Sequence, residues 1–129
     1  MAEKEAVRTE EAPAPFQGAP YSQAIRAGGL VFVSGQVALT PGGSELVGDG
    51  IAEQTAQVFA NLRAILEASG SGLDRLVKTT VYLRNFDDFQ GMNDVYRRHV
   101  GEVPPARATV EVSRLPSGAL VEIDAVALA

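Results

Sequence analysis

Between Pro104 and Ala127 the chain alternates in the manner of a β-strand, and it does so twice. Ala106, Ala108, Val110 and Val112 alternate with Arg107, Thr109, Glu111 and Ser113. Successive side chains on a strand point to opposite faces. One face is therefore small and apolar, and the other carries Arg107, Thr109 and Glu111. Leu115-Pro116-Ser117-Gly118 interrupts the pattern, because proline presets φ and glycine tolerates positive φ. The second run, Ala119 to Leu128, is more apolar, yet it sets Glu122 and Asp124 on one face with no basic residue near them in sequence. The stretch reads as two strands folded back on a turn. Glu122 has two readings. It lies on the wet side of an antiparallel sheet, or it is buried and then needs a partner or a proton.

The rest of the chain narrows the chemistry available to that acid. At 129 residues it holds one domain with a single core. A net charge of −5 argues against nucleic-acid binding, which needs clustered Lys and Arg. There is no cysteine, which excludes disulfides, thiolate nucleophiles and cysteine-based zinc sites. His99 is the only histidine, which excludes a His-rich metal site and a Ser-His-Asp triad; beside Arg98 it reads as a surface residue. No apolar run approaches the roughly 18 residues of a membrane span. The segment MAEKEAVRTEEAPAP lacks the apolar core of a signal peptide, so a cytoplasmic location is expected.

Residues 1–17 are polar, charged and then Ala/Pro-rich, the composition of a flexible extension; residues 18–129 form the domain. Tyr21 to Ala27 and Leu30 to Ser34 flank Gly28-Gly29 and predict a hairpin. Gly35 interrupts the second strand and suggests a bulge or a close backbone approach. Gln36 to Leu39 can extend it as a short strand, before a loop over Thr40 to Gly48. Ile51, Thr55, Val58, Phe59, Leu62, Ile65 and Leu66 recur at steps of three and four, one stripe of a helix that Gly70 ends. Leu76 to Leu83 is a strand with Val77, Thr79, Val81 and Leu83 on one face. A second helix, capped by Asp87, buries Phe89, Met92, Val95, Tyr96 and Val100 and ends at Gly101. The order β-β-(β)-α-β-α-β-β has too few helices to cover both faces of its sheet. An α+β fold with both helices on one face of a mixed sheet follows, and the uncovered face is a candidate for self-association.

Five blocks carry a resemblance. APYSQAI, VFVSGQV, VKTTVYL, FDDFQGMNDVY and the C-terminal PPAR…VEVSRLPSG…VEIDAVA stand in this order across about Gly18 to Ala129. Together they resemble the Rid family, the YjgF-type deaminases of reactive imine intermediates, most closely its RidA type. The resemblance implies a chorismate-mutase-like homotrimer with sites between subunits. It implies hydrolysis of 2-imino or enamino acids, such as 2-iminobutanoate and 2-iminopropanoate, to 2-oxo acids and ammonia.

It also implies roles. Arg107 is the clamp for the substrate carboxylate, since its planar fork binds one bidentately. Glu122 orders the attacking water or handles its proton. Ser34 and Gly35 lie beside the substrate, and Tyr21, Phe89, Asn93 and Thr109 line the pocket. No metal and no cofactor are expected, and the partners are the small-molecule substrate and two further copies of the chain. Many relatives carry cysteine where Thr109 stands, so thiol-based regulation is not available here. Two other readings compete: a non-catalytic protein that holds a 2-oxo acid in the same cleft, and a ribonuclease, which the acidic balance disfavours.

Overall fold

The computed structural model describes residues 3–129. Its strands are β1 (Glu5–Val7), β2 (Ala24–Ala27), β3 (Leu30–Gln36), β4 (Leu76–Leu83), β5 (Ala106–Glu111) and β6 (Val121–Leu128). Its helices are α1 (Ile51–Ala68) and α2 (Phe89–Tyr96). One six-stranded sheet runs β1-β2-β3-β6-β4-β5, antiparallel except for the parallel β4–β5 pair. The fold is the expected α+β arrangement with both helices on one sheet face.

The core fills the space between α1 and the central strands. Val58, Phe59, Leu62, Ile65 and Leu66 of α1 pack on Val31, Val81, Leu83, Val121 and Ile123, all of them fully buried. The helical stripe is the one the spacing predicts, with two additions, Gln54 and Asn61, which are buried and hydrogen-bonded. Asn61 donates to the carbonyls of Val37 and Leu39 at 3.1 and 2.8 Å, and so fixes the chain leaving β3. Gly91 on α2 permits close helix contact: a Cβ there would lie 2.7 Å from Ile51 Cγ2.

Five expectations about the fold are corrected. The segment read as a flexible extension joins the sheet. Glu5–Val7 pairs with Ala24–Arg26, and Val7 and Ala12 enter the core. Three strand residues among charges are too few to raise a strand signal; backbone pairing and Gln23 hold the segment instead. Secondly, Gln36 to Leu39 is not a separate strand. β3 runs through Gln36, and Leu39 makes only an isolated bridge to Leu46.

Thirdly, β5 and β6 are not a hairpin. β4 lies between them, antiparallel to β6 and parallel to β5. A parallel pair needs a crossover, and α2 supplies it. The small apolar face of β5, Ala106, Ala108 and Val110, then lands on the uncovered side of the sheet and is exposed, while Arg107 and Thr109 turn toward the helices. Finally, Asn85, not Asp87, caps the turn that opens α2, its side chain accepting from the Asp87 N–H at 2.9 Å. Val77 leaves the face predicted for it because the β4–β6 register shifts between Leu76 and Lys78.

Candidate active site

Register assigns the predicted residues to two sides of the sheet. Tyr82 stands opposite Glu122 on the uncovered face, whereas Thr79 and Val81 on the helix face stand opposite Arg107 and Thr109. Within one chain, therefore, Arg107 and Glu122 are separated by the sheet itself.

The Glu122 side is a cavity of about 390 Å³ whose lining includes Tyr21, Ser34, Gly35 and Glu122, with Pro13, Phe16 and Pro116 at its walls. Gly35 sits where the β3–β6 register shifts, between Val33 and Gln36. A Cβ at Gly35 would meet the Glu122 carboxylate, lying 2.9 Å from its Cδ and 3.2 Å from its Cγ. The bulge and the missing side chain together make room for the acid. Ser34 donates its hydroxyl to the Ser22 carbonyl at 2.6 Å, leaving its oxygen free to accept. Tyr21 accepts from the Phe16 N–H at 2.6 Å, so its own O–H is free to donate elsewhere.

Glu122 is half-buried, and its carboxyl is held above the ordinary range, first by loss of water and then by repulsion from Asp124. Asp124 accepts from the Tyr82 hydroxyl at 3.0 Å. Burial and that bond raise the tyrosine's own pKa. The acid is thus partly desolvated, with no cation against it in its own chain among the described residues. This favours the second of the two readings of Glu122 left open by the sequence.

The Arg107 side is built on α2. Its guanidinium carbon lies 4.7 Å from the centre of the Tyr96 ring and 5.6 Å from that of Phe89. Stacking on aromatic faces orients a guanidinium without using its N–H donors. Among the described residues the Arg107 guanidinium makes no ion pair and no hydrogen bond, so its fork is free for a ligand. Tyr96 is fixed by a 2.7 Å bond to Thr79 in the core, and Phe89 stacks on Phe86 at 4.9 Å. Asn93 falls on the same stripe of α2 as Phe89 and Tyr96, and its buried Oδ1 has no partner among the described residues. A buried amide oxygen left unpaired is a group waiting for a donor.

Two residues that position the site are absent from the sequence-predicted set. Tyr96 was legible only as a core aromatic, yet it is the platform for Arg107. Gln23 is buried, accepts from the Thr9 N–H at 2.7 Å and donates toward the carbonyls of Thr9, Ala12 and Pro13. It ties down the segment that walls the Glu122 cavity; it stands just before β2 beside Ser22, where a polar residue raises no signal of burial. His99 is not the surface residue expected. It is half-buried and stacks on Phe59 at 4.7 Å, where burial and then Arg63 and Arg98 lower its pKa.

These features define a class of protein: an α+β domain with one bare sheet face, which presents a desolvated glutamate on that face and an aromatic-seated arginine on the other. The chain belongs to the family described as Endoribonuclease L-PSP, the YjgF/Rid family of the sequence resemblance, whose model matches residues 9–129. A RutC family protein of Pyrococcus horikoshii is 50% identical over 124 residues, which cover 96% of this chain and 97% of the relative. A 2-iminobutanoate/2-iminopropanoate deaminase of Dermatophagoides farinae is 39% identical over 126 residues, 98% of this chain and 97% of that one. Among solved structures, RidA from an Antarctic Psychrobacter superposes with a TM-score of 0.91 at 39% identity, covering 97% of this chain and 99% of that one.

Proposed function

We propose that this chain hydrolyses 2-imino acids, of the 2-iminobutanoate and 2-iminopropanoate kind, in sites shared between the subunits of a homotrimer. The observation that carries the reading is the split of Arg107 and Glu122 between sheet faces. Each half has free capacity: a guanidinium with no acid, and a desolvated carboxylate with no cation. A neighbouring copy that brings its Arg107 face to this chain's Glu122 cavity completes the pair. The exposed Phe32, Val110 and Leu128 on the bare sheet face give such a contact its apolar area.

The chemistry follows from the two charges. Arg107 of one subunit grips the substrate carboxylate and fixes the imine carbon near Glu122 of the next. Glu122 takes a proton from water as the oxygen bonds to that carbon and delivers it to nitrogen, then carries the hydroxyl proton of the resulting carbinolamine to the same nitrogen. The C–N bond breaks, ammonia leaves, and the water oxygen stays as the 2-oxo group. Proton transfer alone completes the step, so turnover is expected to persist after chelation of divalent metals. This reading is preferred to non-catalytic binding because a binder has no use for a desolvated acid. It is preferred to RNA cleavage because the net charge is −5 and the sole histidine stacks away from the cavity. Among the described residues no helix is long and apolar enough to cross a membrane.

The test is Arg107→Ala and Arg107→Lys, assayed on 2-iminobutanoate released by a coupled dehydratase. Truncation of a guanidinium that pairs with a carboxylate in a partly dry cleft costs about 2 to 5 kcal/mol. Arg107→Ala is expected to lower kcat/KM by well over an order of magnitude. Lysine, a point charge without a fork, is expected to restore only part. Near-normal rates for Arg107→Ala would end the deaminase reading.

A further inference from the structure

A second cleft adjoins the Glu122 cavity and shares Phe16 and Pro116 with it as a common wall. It measures about 600 Å³, and Arg84 and Arg114 are the charged residues in its lining. Both are exposed, and among the described residues neither guanidinium makes an ion pair or a side-chain hydrogen bond. Two cations in one cleft give it a local charge opposite in sign to the chain's net −5.

The walls of this cleft carry the chain's unusual backbone. Among the described residues only Gln17 and Ser117 have positive φ without being glycine, at 52° and 58°, and both line it. Such residues hold a backbone cost and concentrate at binding sites. The cleft's place relative to Glu122 follows from strand pairing. The Arg84 N–H donates to the Leu120 carbonyl at 3.0 Å, which carries the β4–β6 pairing one step past Leu83 and Val121. Tyr82 faces Glu122, and Arg84 is the next residue on that side. The arginine therefore stems from the adjacent side-chain row, about 7 Å along the strand from the catalytic acid.

We propose that Arg84 and Arg114 form a distal anion subsite that lets this protein accept 2-imino acids bearing a second carboxylate. The inference rests on the deaminase reading of the Glu122 cavity. In the complex the first carboxylate meets a neighbour's Arg107, the imine carbon stands at Glu122, and a short methylene chain carries the second carboxylate past Phe16 and Pro116 to the arginines. The selective gain is electrostatic: a monocarboxylic imine leaves the subsite hydrated and loses nothing, whereas a dicarboxylic one adds charge-assisted bonds.

The test compares the stable 2-oxo products by calorimetry on the intact assembly. Wild-type protein is expected to bind 2-oxoglutarate about tenfold or more tightly than 2-oxobutanoate, the scale of one to two charge-assisted bonds. Arg84→Gln combined with Arg114→Gln is expected to abolish that preference and to leave 2-oxobutanoate affinity within about twofold. Arg84→Gln alone, assayed in parallel, is expected to fall between the two. Equal wild-type affinity for the two acids, or an equal loss of both in the double variant, overturns the subsite while sparing the deaminase reading. If wild-type protein binds neither acid, both readings fall. Inorganic phosphate binding as tightly as 2-oxoglutarate would assign a free-anion site and overturn the substrate subsite.

Discussion

Glu122 is the residue on which pH acts. Desolvation and then the Asp124 charge hold its carboxyl above the ordinary value. A raised acid pKa means that the folded protein binds this proton more tightly than the unfolded chain does. Its stabilising contribution is complete below the ordinary carboxylate pKa and is lost as pH rises through the raised value. Glu122→Gln is therefore expected to melt at a higher temperature than wild type at a pH above the raised value, with the gap closing as pH falls through it. The same substitution is expected to depress turnover, because it removes the proposed proton acceptor and keeps the shape. Asp124→Asn is expected to move the acid limb of the pH–rate profile downward by removing the repulsion. Melting curves and rate profiles across the carboxylate range check all three outcomes. A normal rate for Glu122→Gln would transfer the water to another group.

At the scale of elements, the bulge in β3 is a device for holding that acid. Gly35→Ala would push a methyl into the Glu122 side chain, whose far end can swing away, whereas the backbone around it cannot. The variant is expected to lose activity out of proportion to stability, a fall in kcat with less than about 1 kcal/mol lost on denaturation. Gly91→Ala is expected to behave in the opposite way. There the obstacle is the branched Ile51 side chain between two packed helices, so overpacking outweighs the gain in helix propensity, about 1 kcal/mol, and activity per folded molecule persists. Denaturant titrations alongside initial rates separate the two glycines.

The same elements explain what was legible beforehand. α1 and β4 announced themselves because long periodic stripes average over many residues, and Leu76–Leu83 is the predicted strand. β1 was invisible because three residues cannot display a period and its partner strand supplies the order. Chain order suggests a β5–β6 hairpin, but strands adjacent in sequence do not have to pair, and no residue in either strand encodes the intervening β4. The site divides along the same line. Arg107 and Glu122 stand out as charges in strands, but that the sheet separates them depends on long-range register, which local alternation does not carry. Gln23 and Tyr96 act through bonds to distant backbone and core, a property that residue type alone does not carry.

The whole molecule is legible in its incompleteness, and that yields the most discriminating prediction. Helices cover one sheet face; the other exposes Phe32, Val110 and Leu128 around Glu122. Light scattering is expected to give three times the 13.6 kDa chain mass, and a monomer at micromolar concentration would remove the shared site. A shared site also permits complementation between two inactive proteins. Arg107→Ala chains keep Glu122, and Glu122→Gln chains keep Arg107. On the proposed arrangement, each site of a symmetric ring takes its arginine from one subunit and its glutamate from the next. After unfolding and refolding an equal mixture, about a quarter of the sites unite an intact arginine with an intact glutamate by random assortment. The mixture is expected to recover about a quarter of wild-type turnover, while each variant refolded alone stays at its own low baseline. A site contained within one chain predicts no recovery at any mixing ratio, because every chain then carries one lesion. Turnover measured as a function of mixing ratio should follow the product of the two chain fractions and peak at equal amounts. A flat line at the baseline would overturn the shared site.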